Sequence, residues 1–429
     1  MPWRLGAAAL VLPLYLYSAP TSTGDAARTV NELIQTAIEN NRELAALRQL
    51  VAEARGALKQ AGVRPAASVQ FGAASARPFG TAGKEEYSAG YSQPVELGGK
   101  RGRRIEVAEK DVRLAEANLA LRTVQLRVEI EQRFVDATDA RDKLAYLDRM
   151  IASYDESIRL VEARIAQGDA ARIDAQLLQV ECARNEAQRR TLEGAFEVAL
   201  AALRRLCGVD ANVPLTVAPL HDAATSITLE QAQTRALELR GELALARLEE
   251  QRGAAELRLT EAHARPDVTL SAEYSLRGER FNDVYGLTGS GARVLISDRD
   301  SSVRLGVSIP LVNRRNNAGN LEAAAARATA ARTLRQHVAA GIPLEVQAAW
   351  QRWRAATLSL AVFDTNVLRL SARNLDVLRE AYTLGQLRLL DVLNEQRRLI
   401  DTQLAYADAR AESRRARIAL EQAVGGDIQ

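Results

Sequence analysis

Apolar residues recur at three-and-four spacing through most of the chain. Between residues 101 and 166 the series includes Leu144, Leu147, Ile151, Tyr154, Ile158, Val161 and Ile165, a coiled-coil-like seam. The same spacing predicts helices over 30–63, 170–206, 229–264, 316–384 and 387–423. Elsewhere the period changes to two. Val268, Leu270, Ala272, Tyr274 and Leu276 alternate with Thr269, Ser271, Glu273 and Ser275. Val303, Leu305, Val307 and Ile309 alternate with Arg304, Gly306 and Ser308. A fainter pair runs through Val69, Phe71 and Ala73, then Tyr87, Ala89 and Tyr91. These segments predict four half-apolar strands of about 9–11 residues, the length of a tilted membrane strand.

The punctuation repeats once. Thr29 with Glu32 and Thr228 with Gln231 are capping boxes, each opening a helix that ends at an Arg-Pro pair, Arg64-Pro65 or Arg265-Pro266. Pro94 and Pro310 close the two strand regions. Gly168, Asp174 and Gly208 match Gly385, Asp391 and Gly425 at one common offset. Each half therefore reads helix, two strands, very long helix, turn, helix. The expected organisation is a signal segment over 1–24, a first repeat over 25–208, a Pro-bearing linker over 209–227 and a second repeat over 228–429.

Helix lengths sharpen this picture. At 1.5 Å per residue, 101–166 spans roughly 100 Å, and 170–206 with 30–63 together span about the same. The second half repeats the sum: 316–384 matches 387–423 with 229–264. Two short helices stacked beside one long one, twice over, predict four helical columns of equal height. Pro343, after Gly341 and Ile342, lies inside the second long helix and predicts a kink or a break there.

Composition narrows the function classes. Charged residues make up 26% of the chain with a net charge of only +3, so nothing argues for a nucleic-acid partner. Aromatics are only 4%, which suits Ala-rich helix seams better than a bulky core. Arg4, the apolar stretch from Leu5 to Tyr17 and small residues at Ser18, Ala19 and Ser22 read as a secretory signal. The stretch is too short to cross ~30 Å of hydrocarbon as a helix. Export does not exclude entry into a membrane as β-strands. Cys182 and Cys207 fall on one predicted helix, ~37 Å apart, and are expected as free thiols. Four strands close no barrel alone, so a membrane sheet demands several chains; two copies give eight strands and three give twelve. The other reading of the strands is an ordinary soluble antiparallel sheet.

The twofold helix–strand–strand–long-helix pattern with its glycine turns resembles TolC-type outer-membrane factors over essentially the whole mature chain. The segment Ser92-Gln93-Pro94-Val95-Glu96-Leu97-Gly98-Gly99-Lys100-Arg101 is similar to that after the second strand in outer-membrane subunits of cobalt–zinc–cadmium and copper–silver exporters. Leu384-Gly385-Gln386-Leu387-Arg388-Leu389-Leu390-Asp391-Val392-Leu393 is family-like as well. The resemblance implies a mainly α fold: a long antiparallel coiled-coil helical barrel, with four strands per chain joining a twelve-stranded β-barrel in a homotrimer. It implies an exit duct in the bacterial outer membrane, in contact with lipid and reaching into the periplasm. The implied partners are a periplasmic adaptor and an inner-membrane pump of the RND type, and the cargo is heavy-metal cations. Multidrug efflux and type I protein secretion are the alternatives within the family. An exported coiled-coil scaffold, or the adaptor itself, is the alternative class.

The resemblance also places site residues. Gly168, Gly385, Leu384 and Leu387 belong to the tips that meet the adaptor. Tyr382 and Asp174 form a latch between neighbouring hairpins. The family's second latch uses an Arg two residues past the glycine, where this chain has Leu387 with Arg388 next. Of the family's two acidic constriction rings, Asp391 matches the first and Asn394 replaces the second.

Catalysis has no support. Gly98-Gly99-Lys100-Arg101 lacks the glycine spacing and the Ser/Thr of a phosphate loop and reads as a bend, with Arg103 and Arg104 following, where a channel meets the membrane surface. His221, His263 and His337 are scattered, without ligand spacing. Met150 is the only methionine after the signal, so no soft-metal site, and no cofactor, is expected.

Overall fold

The computed structural model describes residues 27–75, 85–168, 170–219, 226–311 and 314–428. The expected signal segment lies outside them, as does the 220–225 part of the linker.

Nine α-helices and four strands are described. The first helix, α1 (Val30–Asn40), starts at a complete Thr29 capping box, and α2 (Arg42–Ala61) follows after a break. The strands β1 (Ser68–Ser75) and β2 (Glu85–Val95) lead into α3 (Lys100–Ala166) and α4 (Arg172–Cys207). The second half opens with the Thr228 capping box of α5 (Leu229–Leu239), then α6 (Gly241–His263). Strands β3 (Val268–Leu287) and β4 (Arg293–Ser308) precede α7 (Arg314–Val362), α8 (Leu368–Thr383) and α9 (Leu389–Val424).

The helices stand in four columns. α3 packs against α4 and α2 on one side and against α9 and α6 on the other, and α7 packs on α6 and α9. The order across the wall is therefore α4 with α2, then α3, then α9 with α6, then α7 with α8. The expected stacking of two short helices beside one long one holds. Apolar clusters mark its levels: Leu33, Ile130, Phe134 and Leu203 in the first half, Leu243, Ile342, Val346 and Leu420 in the second, and Leu147, Tyr154, Leu178 and Leu393 toward the tips. Each large apolar side chain so buried contributes about 1.5–3 kcal/mol. Ion pairs run between the columns, among them Arg122–Glu43, Arg335–Glu250, Arg127–Asp427 and Arg415–Asp136. Each is half-exposed and worth little alone, but together they fix one register of helix against helix.

Three local expectations are corrected. The helix expected over 30–63 breaks at Asn41, whose extended backbone ends α1 while its side chain accepts from the Glu43 and Leu44 N–H groups. The Asn41 amide also donates to the Leu206 carbonyl at 2.9 Å, so the break locks α1–α2 onto the end of α4. The helix over 229–264 breaks at Arg240, whose backbone is likewise extended but whose side chain pairs with Glu242 and Glu345 and makes no cap. The helix over 316–384 does not break at Pro343, which lies inside α7. Ile342 and Val346 beside it are fully buried, and this burial offsets the roughly 3 kcal/mol an interior proline costs. The interruption comes later, as a π-helical turn (Phe363–Val367) between α7 and α8.

The sheet has the order β1-β2-β3-β4, all antiparallel, with β1 and β4 as edges. β3 and β4 run to 20 and 16 residues, longer than the alternation predicts. The register separates two faces. Val69 and Phe71 align with Tyr91 and Ala89, these with Ala272 and Tyr274, and these with Leu305 and Val303. The opposite face carries Gln70, Gly90, Glu273 and Arg304 in one row. The apolar face is open: Phe71, Val303 and Leu305 are 83%, 70% and 79% exposed in the protomer. Past Leu276 the β3–β4 ribbon continues through Arg277, Glu279, Asp298 and Asp300, which interrupt its apolar band before exposed apolar side chains return at Phe281, Tyr285, Val294 and Ile296.

Candidate functional site

Two places gather the candidate residues: the junction of sheet and helices, and the far tips of the helices.

At the junction the chain turns through Gly98 and Gly99, both with positive φ. A side chain on Gly98 would meet the Arg265 side chain at 2.8 Å. The basic residues that follow are all engaged. Lys100 is buried and pairs with Asp267 at 2.8 Å, and the same carboxylate oxygen accepts the Leu97 N–H. Arg101 donates to the Gly62 carbonyl at 2.6 Å. Arg104 grips Glu96 with two nitrogens and donates to the carbonyls of Ala61 and Val63, the open end of α2. Arg103 pairs with Glu106. These side chains tie strand ends to helix ends and hold the sheet upright on the wall.

At the tips, α3 turns into α4 through Gly168, at φ +80°, and α8 into α9 through Gly385, at φ +74°. The second turn is a Schellman motif: Gly385 N–H donates to the Tyr382 carbonyl and Gln386 N–H to that of Ala381. The Tyr382 ring packs on the tip cluster, beneath the Arg164 guanidinium at 5.5 Å from its centroid. Tyr382, Arg164, Asp174, Leu177, Arg388 and Leu390 line one groove between the two hairpins. The structure thus brings Tyr382, Asp174 and Arg388 together, and Arg164 is the member that sequence reading missed.

Asp391 sits one turn into α9, where one carboxylate oxygen accepts the Arg388 N–H at 3.2 Å. It therefore caps its own helix while remaining exposed, and Asn394 is exposed one turn further on. Leu384 is exposed and Leu387 half-buried; Leu390, which the motif reading passed over, is exposed instead.

Behind this surface lies a buried polar cluster. Glu181 pairs with Arg397 and Asn185 donates to the Glu181 carbonyl. Tyr154 is fully buried beside them, and burial, then the Glu181 charge, push its phenol up to about 12. Among the described residues no group of His, Cys, Asp and Glu could hold a metal ion, and no helix is long and apolar enough to cross a membrane.

Comparison with known proteins gives this geometry its family. The model of outer membrane efflux proteins matches residues 33–209 and 232–426. The cobalt-zinc-cadmium resistance protein CzcC of Cupriavidus metallidurans is 26% identical over 337 residues, which cover 77% of this chain and 75% of that protein. Among solved structures, CusC superposes with a TM-score of 0.74 at 18% identity, covering 93% of this chain and 92% of that one. The outer membrane protein VceC of Vibrio cholerae gives 0.72 at 18% identity, covering 93% and 97%. The open-state MtrE channel of Neisseria gonorrhoeae gives 0.70 at 16% identity, covering 93% and 89%. The chain belongs to the outer membrane efflux protein family: it is a channel subunit of the outer membrane that extends into the periplasm, and it is not an enzyme.

Proposed function

We propose that three copies of this chain form the exit duct of a tripartite efflux system, joined at the helical tips by a periplasmic adaptor and fed by an RND-type inner-membrane pump. The observation that carries this reading is the sheet register, which gathers an apolar face fit for lipid while both edge strands stay unpaired. An open edge is not tolerated in hydrocarbon, so the sheet has to close with further copies. The apolar run Val268 to Leu276 extends ~30 Å along the strand and, tilted, matches a membrane band of about 25 Å. Three copies make twelve helical columns; at 8–10 Å between axes the ring is roughly 30–38 Å across, with an open bore once the helix radii are subtracted. Two copies would leave a much narrower one.

In this reading residues 1–24 are a signal, 25–208 and 228–429 are structural repeats, and 209–227 link them. Gly168, Gly385, Leu384 and Leu387 form the adaptor-facing tips. Tyr382 and Asp174, with Arg388 beside them, latch neighbouring hairpins, and Asp391 and Asn394 line the narrowest point. Heavy-metal cations are the proposed cargo, in keeping with the named role of the relative from Cupriavidus metallidurans. Selection of the metal then lies with the pump and the adaptor.

Membrane fractionation followed by native mass measurement tests the assembly. Detergent-requiring trimers in the outer-membrane fraction are expected, and a soluble rod-like oligomer would overturn the reading. In planar bilayers, Tyr382→Phe combined with Asp174→Ala should raise the conductance of the purified channel. Unchanged conductance would place the latch elsewhere.

A further inference from the structure

The strongly exposed positions of lower α9 fall on one stripe. Asp391, Asn394, Arg398, Asp401, Ala405, Asp408 and Glu412 are all exposed, at steps of three and four residues. Large apolar side chains are absent from this stripe, although α9 lies between two other columns. Arg398 stands out as the cation among its carboxylates. Its side chain is 73% exposed, and its ion pair is a loose one with Glu395 at 3.5 Å. The adjacent Arg397 turns instead to Glu181 on α4. Arg398 also lines an open groove with Asn394, Arg397, Asp401 and Thr402, walled by Phe363 and Val367 of the π-helical turn.

We propose that Arg398 sets the ionic selectivity of the tunnel mouth, as a ring of guanidinium groups between the carboxylate rings of Asp391 and Asp401. This inference rests on the reading above, in which Asp391 and Asn394 line the narrowest point of a trimer. Along the helix Arg398 lies ~6 Å from Asn394 and ~10 Å from Asp391. The second distance is comparable to the Debye length of ~8 Å at physiological ionic strength, so the positive ring acts directly on an ion held at Asp391. Three Asp391 carboxylates alone would concentrate multivalent cations. With Arg398 behind them, a free divalent cation meets repulsion about two turns further in. The mouth then keeps a weaker preference for small cations than its two carboxylate rings would give unopposed, and it passes zwitterionic or complexed cargo without holding it. Metal flux through such a mouth is driven by the pump and not by attraction at the entrance.

The reversal potential of purified trimers in a bilayer under a potassium chloride gradient tests this, together with block by trivalent lanthanum. Arg398→Gln should move the reversal potential toward the potassium equilibrium potential and strengthen lanthanum block. Asp391→Asn should move both the other way. Arg398→Lys should match the unaltered channel, and native mass confirms that each variant is trimeric. If Arg398→Gln changes neither readout while Asp391→Asn changes both, the selectivity role of Arg398 is wrong and the proposed mouth survives. If neither variant changes either readout, the stripe lies outside the conduction path, and both this inference and the assignment of Asp391 to the constriction fall.

Discussion

Glycine at a helix end plays two different parts in this chain. Gly208 and Gly425 terminate α4 and α9 in Schellman motifs, with Val209 and Gly426 donating back to Arg204 and Glu421. Both are packed: a side chain on Gly208 would meet the Asn40 carbonyl oxygen at 2.7 Å, and one on Gly425 would meet the Arg240 backbone at 3.0 Å. Each closing glycine thus packs directly against the break in its neighbouring helix, at Asn41 or at Arg240. Gly168 and Gly385 have the same positive φ but open space around them. Gly168→Ala should therefore carry only the left-handed backbone penalty, about 1–2 kcal/mol. Gly208→Ala adds a clash with backbone and should reach about 3 kcal/mol or more. Denaturant titration of the two variants checks the order, and equal losses would refute it. The cysteines make a second prediction at this scale. Both are buried and free, and they lie on the unbroken helix α4. Burial pushes each thiol up to about 11, with the Asp155 and Glu186 charges adding to this at Cys182. Against an ordinary thiol near 8.5, this reduces the thiolate at neutral pH by a hundredfold or more. Maleimide should label the native channel slowly and the unfolded chain rapidly at both sites, and no intrachain disulfide should form. Fast labelling of the folded protein would mean that α4 is not packed as described.

Among the elements, the strands make the sharpest demand on their surroundings. Leu305 lies opposite Ala272 on the open apolar face, and Ser271 lies opposite Gly306 on the polar one. An Arg or Lys at mid-membrane on a lipid face costs about 2–4 kcal/mol. Leu305→Arg should accordingly cut the yield of assembled outer-membrane oligomer, and Ser271→Ala should leave it near normal. Equal tolerance at the two sites would mean that this face does not meet lipid. The alternation that exposes these faces was readable because each face has one chemistry from Val268 to Leu276. It stops being readable beyond Leu276, where charged residues such as Arg277, Glu279, Asp298 and Asp300 interrupt the alternation and the apolar residues that return at Phe281, Tyr285 and Val294 keep no single period. Helices were legible where caps and turn glycines punctuate them, as at Thr29, Thr228, Gly168 and Gly385. The break at Asn41 carried a local signal, an Asn followed two residues later by Glu43 at a helix start, but unbroken periodicity on both sides hid it. The π-helical turn at Phe363–Val367 carries no such signal. It shows only in packing, where the Phe363 ring meets Tyr406 at 6.4 Å between centroids. The tip residues were legible through turn-relative spacing, whereas Arg164 over Tyr382 and the stripe through Arg398 needed the columns to be placed.

At the scale of the whole molecule, the protomer has two unlike outer columns and two unlike edge strands. On α4, Ile173, Leu177, Val180 and Val198 form one exposed apolar stripe. On α7, Leu344 and Leu358, two heptads apart, are 68% and 60% exposed although α7 packs on α6 and α9 with its other faces. Unlike edges that join head to tail build rings when the rotation closes. In the proposed trimer, α7 of one copy meets α4 of the next, and β4 of one meets β1 of the next, so a single rotation closes both wall and barrel. The two closures are coupled: a wall that cannot close leaves strand edges facing lipid. Leu344→Glu together with Leu358→Glu puts two charges on one outer column without touching the protomer core. The variant should keep its helix content by circular dichroism and lose the trimer in native mass measurement. A matched change on an inner column, Arg159→Ala on α3, should leave the trimer intact. Because every ring needs each copy to offer both edges, the double variant should also reduce trimer yield when co-expressed with the unaltered chain, by ending growing arcs at its damaged side. Persistence of trimers at normal yield would show that these outer columns do not close the wall, and ring closure would then rest on the strands alone.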